Sequence, residues 1–212
     1  MCIRDSPYIE IDTIRIGKDK VSAEVDVSAQ WGYTITVFYH DINTDSQDVV
    51  DKPSTLIGKT TFLVEFKDNK WQVTGVKPVL IESDSLNNKI TIDSVKVETP
   101  STQYPTLKLD RYITIGDTWD YAFKVDDSVT VTLWEHNQVT WAWAILGRPA
   151  NDGGSPFMPD TFPEPNYWQG TWVPKSTRKQ WTWISVIDLW NIWDHDSKAV
   201  LLQSVACPYK VE

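Results

Sequence analysis

The chain has 212 residues, 41% of them hydrophobic and 12% aromatic, with 20 basic against 29 acidic residues and a net charge of -9. It has no run of 18 apolar residues, which excludes a spanning helix on hydropathy grounds. The acidic excess is even, nine basic against thirteen acidic residues up to Ser83 and eleven against sixteen beyond it; with no Lys/Arg cluster, this argues against a nucleic-acid partner.

The opening Met1-Cys2-Ile3-Arg4-Asp5-Ser6 resembles a translated sequencing-adapter end, a feature of genes drawn from metagenomic fragments. The resemblance implies that residues 1–6 are an artefact, that the biological chain begins near Pro7, and that its true N-terminus is missing. Setting Cys2 aside leaves Cys207 alone, so neither an intramolecular disulfide nor a cysteine metal cluster is expected.

From Tyr8 to about Pro78 the apolar residues alternate with period two, most cleanly at Val21, Ala23, Val25 and Val27. Ile9, Ile11, Ile14 and Ile16 supply a partner strand, joined through Gly17-Lys18-Asp19-Lys20 as a hairpin. Thr61–Phe66 and Trp71–Val76 form a second hairpin around Asp68-Asn69, residues that tolerate the left-handed backbone of a tight turn. Between the hairpins, Asp41-Ile42-Asn43-Thr44-Asp45-Ser46-Gln47 is similar to the start of an EF-hand calcium loop, with oxygen ligands at alternate positions. It lacks the turn glycine and places Lys52 where the bidentate glutamate belongs, so weak or no calcium binding and a solvated acidic loop are expected.

The runs Ile14-Arg15-Ile16, Asp19–Val25, Thr61–Phe66 and Asn69–Val73 resemble the closing strands of an NTF2-like domain, over about residues 7–80. That resemblance implies a curved sheet around a conical pocket, with its N-terminal helices cut away. An exposed apolar sheet face at Val21, Ala23, Val25 and Val27 is then expected.

Residues 82–89 are polar and rich in breakers, which predicts a linker between a sheet over 7–81 and a second domain over 90–212. In that second domain short strands are expected at Ile90–Ile92, Val95–Val97, Trp119–Val125, Val129–Trp134, Thr140–Leu146, Gln180–Ile187 and Ala199–Gln203, with Ile187–Trp193 readable as a turn or two of helix. The expected fold is therefore mainly β: a truncated NTF2-like antiparallel sheet followed by an Ig-like or jelly-roll-like β-sandwich. No internal repeat stands out. The proline-rich stretch Gly147–Tyr167 predicts a long loop, packed down by its own aromatics or closing over a ligand.

Catalytic signatures are lacking: there is no nucleophile elbow, phosphate loop or dinucleotide fingerprint. His40, His136 and His195 each stand beside an acid, and Asp194-His195-Asp196 reads as a solvated turn. Tryptophan is the unusual feature, with ten of the 12 lying after residue 100. Trp141 and Trp143, like Trp181 and Trp183, project from one face of a strand, and the two strands are expected to be antiparallel neighbours with four stacked indoles. Those indoles are either core or an exposed platform.

These features lead to an expectation of a non-catalytic extracytoplasmic binding protein. Its candidate ligand-binding residues are Trp134, Trp141, Trp143, Trp181, Trp183, Phe157, Phe162 and Trp168, the ligand a glycan or a protein partner. Neither a cofactor nor a metal is expected. The alternatives are an NTF2-like small-molecule enzyme or carrier, using Glu24, Asp26 or Tyr39, and a purely structural envelope module.

Overall fold

Period-two alternation becomes strand along most of the chain in the computed structural model, which describes residues 8–41, 43–84, 90–137, 142–147, 152–154, 157–158, 167–197 and 200–212. The first half consists of β1 (Tyr8–Ile16), β2 (Ser22–Asp41), β3 (Ser46–Lys67), β4 (Lys70–Val76) and β5 (Val79–Ser83). Both expected hairpins form, and Asp68 and Asn69 adopt positive φ of 52° and 59° in the β3–β4 turn. Unforeseen is the reach of the β2–β3 hairpin, whose strands of 20 and 22 residues stay paired from Ser22↔Glu65 to Asp41↔Ser46.

The second half contributes β6 (Ile90–Thr99), β7 (Thr102–Gln103), β8 (Ile113–Thr114), β9 (Ala122–Phe123), β10 (Val129–Asn137), β11 (Ala142–Gly147), β12 (Phe157–Met158), β13 (Tyr167–Trp172), β14 (Arg178–Asp188), α1 (Leu189–Trp193) and β15 (Leu202–Val211). Three expectations shift. The strand over Trp119–Val125 shrinks to β9. The one over Ala199–Gln203 moves downstream into β15, because Pro208 lies just past the end of the β5 pairing, where a missing N–H breaks no ladder bond. The proline-rich stretch contains β12, which pairs with β11.

The protein is mainly β, with almost entirely antiparallel pairing. One sheet of 11 strands follows the order β1-β2-β3-β5-β15-β14-β11-β12, with β4, β8 and β9 attached beside it; a four-stranded sheet runs β13-β10-β6-β7. Strand β5, which takes in Glu82 and Ser83, pairs with β3 on one side and β15 on the other, so one sheet holds strands from both sides of residues 82–89, while β6 lies in the other sheet. The main core lies between the two sheets. Val129, Val131 and Leu133 of β10 and Ile90, Ile92, Val95 and Val97 of β6 face Ile184, Val186, Val205 and Tyr209.

The strand β6 repeats β1. Ile90-Thr91-Ile92-Asp93-Ser94-Val95-Lys96-Val97 matches Ile9-Glu10-Ile11-Asp12-Thr13-Ile14-Arg15-Ile16, with the same or a closely similar residue at seven of its positions. In both, the aspartate is the extra residue of a β-bulge, between Ile11 and Thr13 in one strand and between Ile92 and Ser94 in the other. A bulge inserts one residue into the alternation, so all four apolar side chains of each strand stay on one face. Gln203 supports the second bulge: its Oε1 accepts the Ile92 N–H at 2.5 Å, while its Nε2 donates to Glu82 at 2.7 Å.

A buried polar knot pins the far end of the sandwich. The Asp152 carboxylate accepts from the Trp172 indole at 2.7 Å and from the Lys175 N–H at 3.1 Å, and pairs with Arg178, whose Nε donates to the Tyr209 hydroxyl. Removing one partner of such a pair leaves a charge in low dielectric. Asp152→Ala is therefore expected to lower the unfolding free energy by about 3 kcal/mol, read from urea denaturation; a loss within error of zero would mean that the knot is solvated.

Candidate binding face and polar cleft

Directly paired residues of an antiparallel ladder point to the same side, so register alone assigns the faces of the large sheet. One face packs on the four-stranded sheet. The other carries the row Ile11, Val27 and Thr60, continued by Val79, Ala206, Trp183 and Gly147 across β5, β15, β14 and β11. This face is open at both ends of the row and covered in between.

At the β14 end, Trp181 and Trp183 are 37% and 46% exposed, while Ala144, Leu146, Ile184 and Val186 on the reverse side are buried. The indoles thus belong to the open side and not to the core. Gly147 makes the arrangement possible: a Cβ there would lie 2.0 Å from Cε2 and 2.3 Å from Cδ2 of Trp183, so the indole rests flat on the glycine backbone. A ring lying on its partner strand turns its other π face to solvent.

The strands β11 and β14 are antiparallel neighbours, and register places position 143 on the same side as Trp181 and Trp183. Residue 143 pairs with Ile187, about 13 Å along the strand from the Trp183–Gly147 pair. Register thus sets position 143 opposite Ile187 and not opposite Trp181 or Trp183, and the expected stack of four indoles falls partly outside the described residues. Trp141 and Phe162 lie outside the described residues, as do the side chains of Trp143 and Phe157. Trp168 faces the core, 6% exposed, its indole N–H donating to Glu135 at 3.4 Å; Trp134 is half-buried on the outer side of β10. Neither belongs to the open face of the large sheet. Pattern reading also missed Trp119, whose ring lies 5.8 Å from the Lys179 ammonium two residues before Trp181.

The middle of the face is covered by α1 and the segment after it. Tyr33, Leu56, Val200 and Leu202 form a second small core there, with Trp31, Ile35, Ile81 and Ile187 around it. Lys52 anchors this cover: fully buried, its ammonium donates to the carbonyls of Asn191, Asp194 and Ser197 at 2.8, 2.6 and 2.7 Å. Burial pushes its pKa below the usual lysine range, with Asp194 opposing. Tyr39 adds a bond to the Ile192 carbonyl, so it is engaged in structure. The acidic segment expected to resemble a calcium loop is the hairpin tip, with Asp41 paired to Ser46 and Asp45 at positive φ. Its neighbour Asp48 bonds His195 Nε2 at 2.7 Å, which raises the histidine above its ordinary pKa and lowers the carboxylate.

On the reverse side of β1–β3 lies a polar cleft of about 360 Å³, lined by Asp12, Asp26, Lys59, Thr61, Lys77 and Leu109 among others. Arg15 bridges Glu24 and Asp26, Thr61 donates to Asp26 at 2.8 Å, and the Tyr112 hydroxyl donates to Glu24 at 2.6 Å. The bond from Arg15 holds Asp26 at a pKa of about 2. A carboxylate so stabilised as the anion is a poor general base near neutrality.

No family model, curated protein or solved structure matches the chain.

Two outcomes are expected. Lys52→Met leaves three inward carbonyls without their donor and should cost about 2–3 kcal/mol, seen as a lower urea midpoint and faster amide exchange in the segment following α1. The His195–Asp48 tie works while the imidazole is charged and the carboxylate ionised. It therefore weakens as pH rises through the raised histidine pKa, and again as pH falls through the depressed aspartate one. NMR titration should find the His195 pKa lower in Asp48→Asn than in the parent, with Asp196 still holding it up; an unchanged value would show that the pair with Asp48 does not form.

Proposed function

We propose that this protein is a non-catalytic binding module that holds a carbohydrate on the open face of its large sheet, with sugar rings stacked on Trp183 and Trp181. The observation that carries this reading is the Trp183 indole lying flat over Gly147 with its outer face in solvent. An indole face suits the CH surface of a pyranose, and a ring already fixed by its partner strand loses little entropy on binding. Trp181, next on the same side of β14, offers a second surface about 7 Å away. Such a site recognises a neutral ligand without basic residues, consistent with the net charge of -9. The proposal places the protein outside the cytoplasm, where extended polysaccharides are encountered.

The cleft favours a second reading, in which the segment over residues 7–80 is the NTF2-like sheet and the cleft holds a small molecule as in a carrier. Asp26, which lines the cleft and is tied to Arg15 and Thr61, would then position a ligand rather than move its protons.

Titration calorimetry and tryptophan fluorescence against a panel of soluble neutral polysaccharides test the first reading. Trp183→Ala is expected to weaken binding at least about tenfold, or 1.4 kcal/mol, with the far-UV spectrum unchanged. Gly147→Val should do the same by lifting the indole off the strand. If the panel shows no binding, or if Trp183→Ala binds as well as the parent, the carbohydrate reading is wrong.

A further inference from the structure

Among the described residues, a broad run of exposed apolar side chains lies at the other end of the same sheet face. Ile9, Ile11, Ile14 and Ile16 of β1 are 58–67% exposed, and Trp71 and Val73 extend the patch on β4. Register puts the four isoleucines on one side with Ala23, Val25 and Val27 of β2 and Phe62 and Val64 of β3, and none of these positions is charged. Val21, next on that side, is exposed, and Val25 and Val27 are half-buried. Monomers rarely expose a contiguous apolar patch of this extent.

The chain itself shows what covers such a strand. In β6, which repeats the β1 motif with its aspartate bulge, the four equivalent apolar residues are at most 5% exposed, because an antiparallel sheet rich in Val, Ile and aromatics packs over them. The β1–β4 face has that same composition and carries no charge at these positions. We infer that the β1–β4 face packs against the same face of a second copy of this chain, closing a two-fold β-sandwich across the dimer. A standard stable interface takes on the order of 800 Å² from each partner. An isologous contact of identical faces closes on itself and ends at two chains. The uncharged face also keeps the acidic excess of both copies at the rim, where water screens it. Pairing through the outer edge of β1 is disfavoured, since the Asp12 bulge interrupts the ladder that an added strand would need.

The test is sedimentation equilibrium of the whole chain from low to high micromolar concentration. A monomer–dimer equilibrium is expected, abolished by Ile11→Lys/Ile14→Lys and by Val73→Lys and retained by Glu10→Lys on the opposite side of β1. Far-UV circular dichroism confirms that each variant is folded, and Val73→Lys decides the matter if the β1 variant frays. A parent that stays monomeric throughout overturns the inference, as does a dimer that survives both face variants. A ladder of larger species growing with concentration overturns it too, because edge-to-edge assembly does not close. Trp183→Ala is expected to leave the dimer intact, so this result stands or falls independently of the carbohydrate reading.

Discussion

Strand β15 is the constraint on which the rest of the molecule depends. It pairs with β14 along its length and with β5 on its other edge, and with the short β4–β8 pairing it joins the sheet of the first half to the sandwich of the second. Its residues are buried on both sides, and the two sides differ in kind. Val205, Cys207, Tyr209 and Val211 fill the core between the sheets, whereas Ser204, Ala206 and Pro208 present small surfaces to the other face. Large side chains there would push the covering segment and the indoles off the sheet. Burial raises the Cys207 thiol to about 12, which leaves it a packing residue without nucleophilic character at neutral pH.

Fixing the register of β15 fixes everything sideways of it. Because the ladder is continuous from β1 to β11, the side on which Trp183 sits is also the side of the isoleucines of β1, and the polar cleft falls on the reverse. One sheet thereby carries three chemistries: an aromatic end, a covered middle locked by the Lys52 ammonium, and an aliphatic end. Three of the chain's 20 basic residues tie distant parts of it together: Arg15 holds acids of β2, Arg178 holds Asp152, and Lys52 holds carbonyls of α1 and the segment after it.

The sequence made the strands legible, and in particular places it hid their partners. Val21 to Val27 alternate so cleanly that the strand follows at once, whereas the exposed side expected there is open only in part: Val21 is exposed, Val25 and Val27 are half-buried and Ala23 is buried. The β1 and β6 repeat was harder to see, since a period-two reading stops at each aspartate and restarts, giving two short strands where one bulged strand exists. Trp168 and Trp172 were obscured by the prolines before them; β13 begins after those prolines, and Trp172 ends fully buried, 4.5 Å from the Tyr209 ring. The adjacency of β11 and β14 was readable from their matching Trp-x-Trp patterns, but not the four-residue offset between them. Lys52 carried no signal at all. A lone lysine near an acidic turn looks solvated unless the chain 140 residues later is known to return over it.

The placement of β15 also has a consequence for how the molecule is made. Among the described strands it emerges last from the ribosome, while its neighbour β5 is synthesised some 120 residues earlier. At roughly 5–20 residues per second, that neighbour waits several seconds or more with an unpaired edge. Contacts of such sequence separation also slow folding, because the intervening loop must be closed before any bond repays it. The long β2–β3 hairpin, local and self-registering, is the element able to fold during that interval, and it brings the aliphatic patch into being before the sandwich exists. A nascent chain therefore presents its stickiest surface well before the strand that organises the sandwich, and the interval between them is one in which that surface stands open to association.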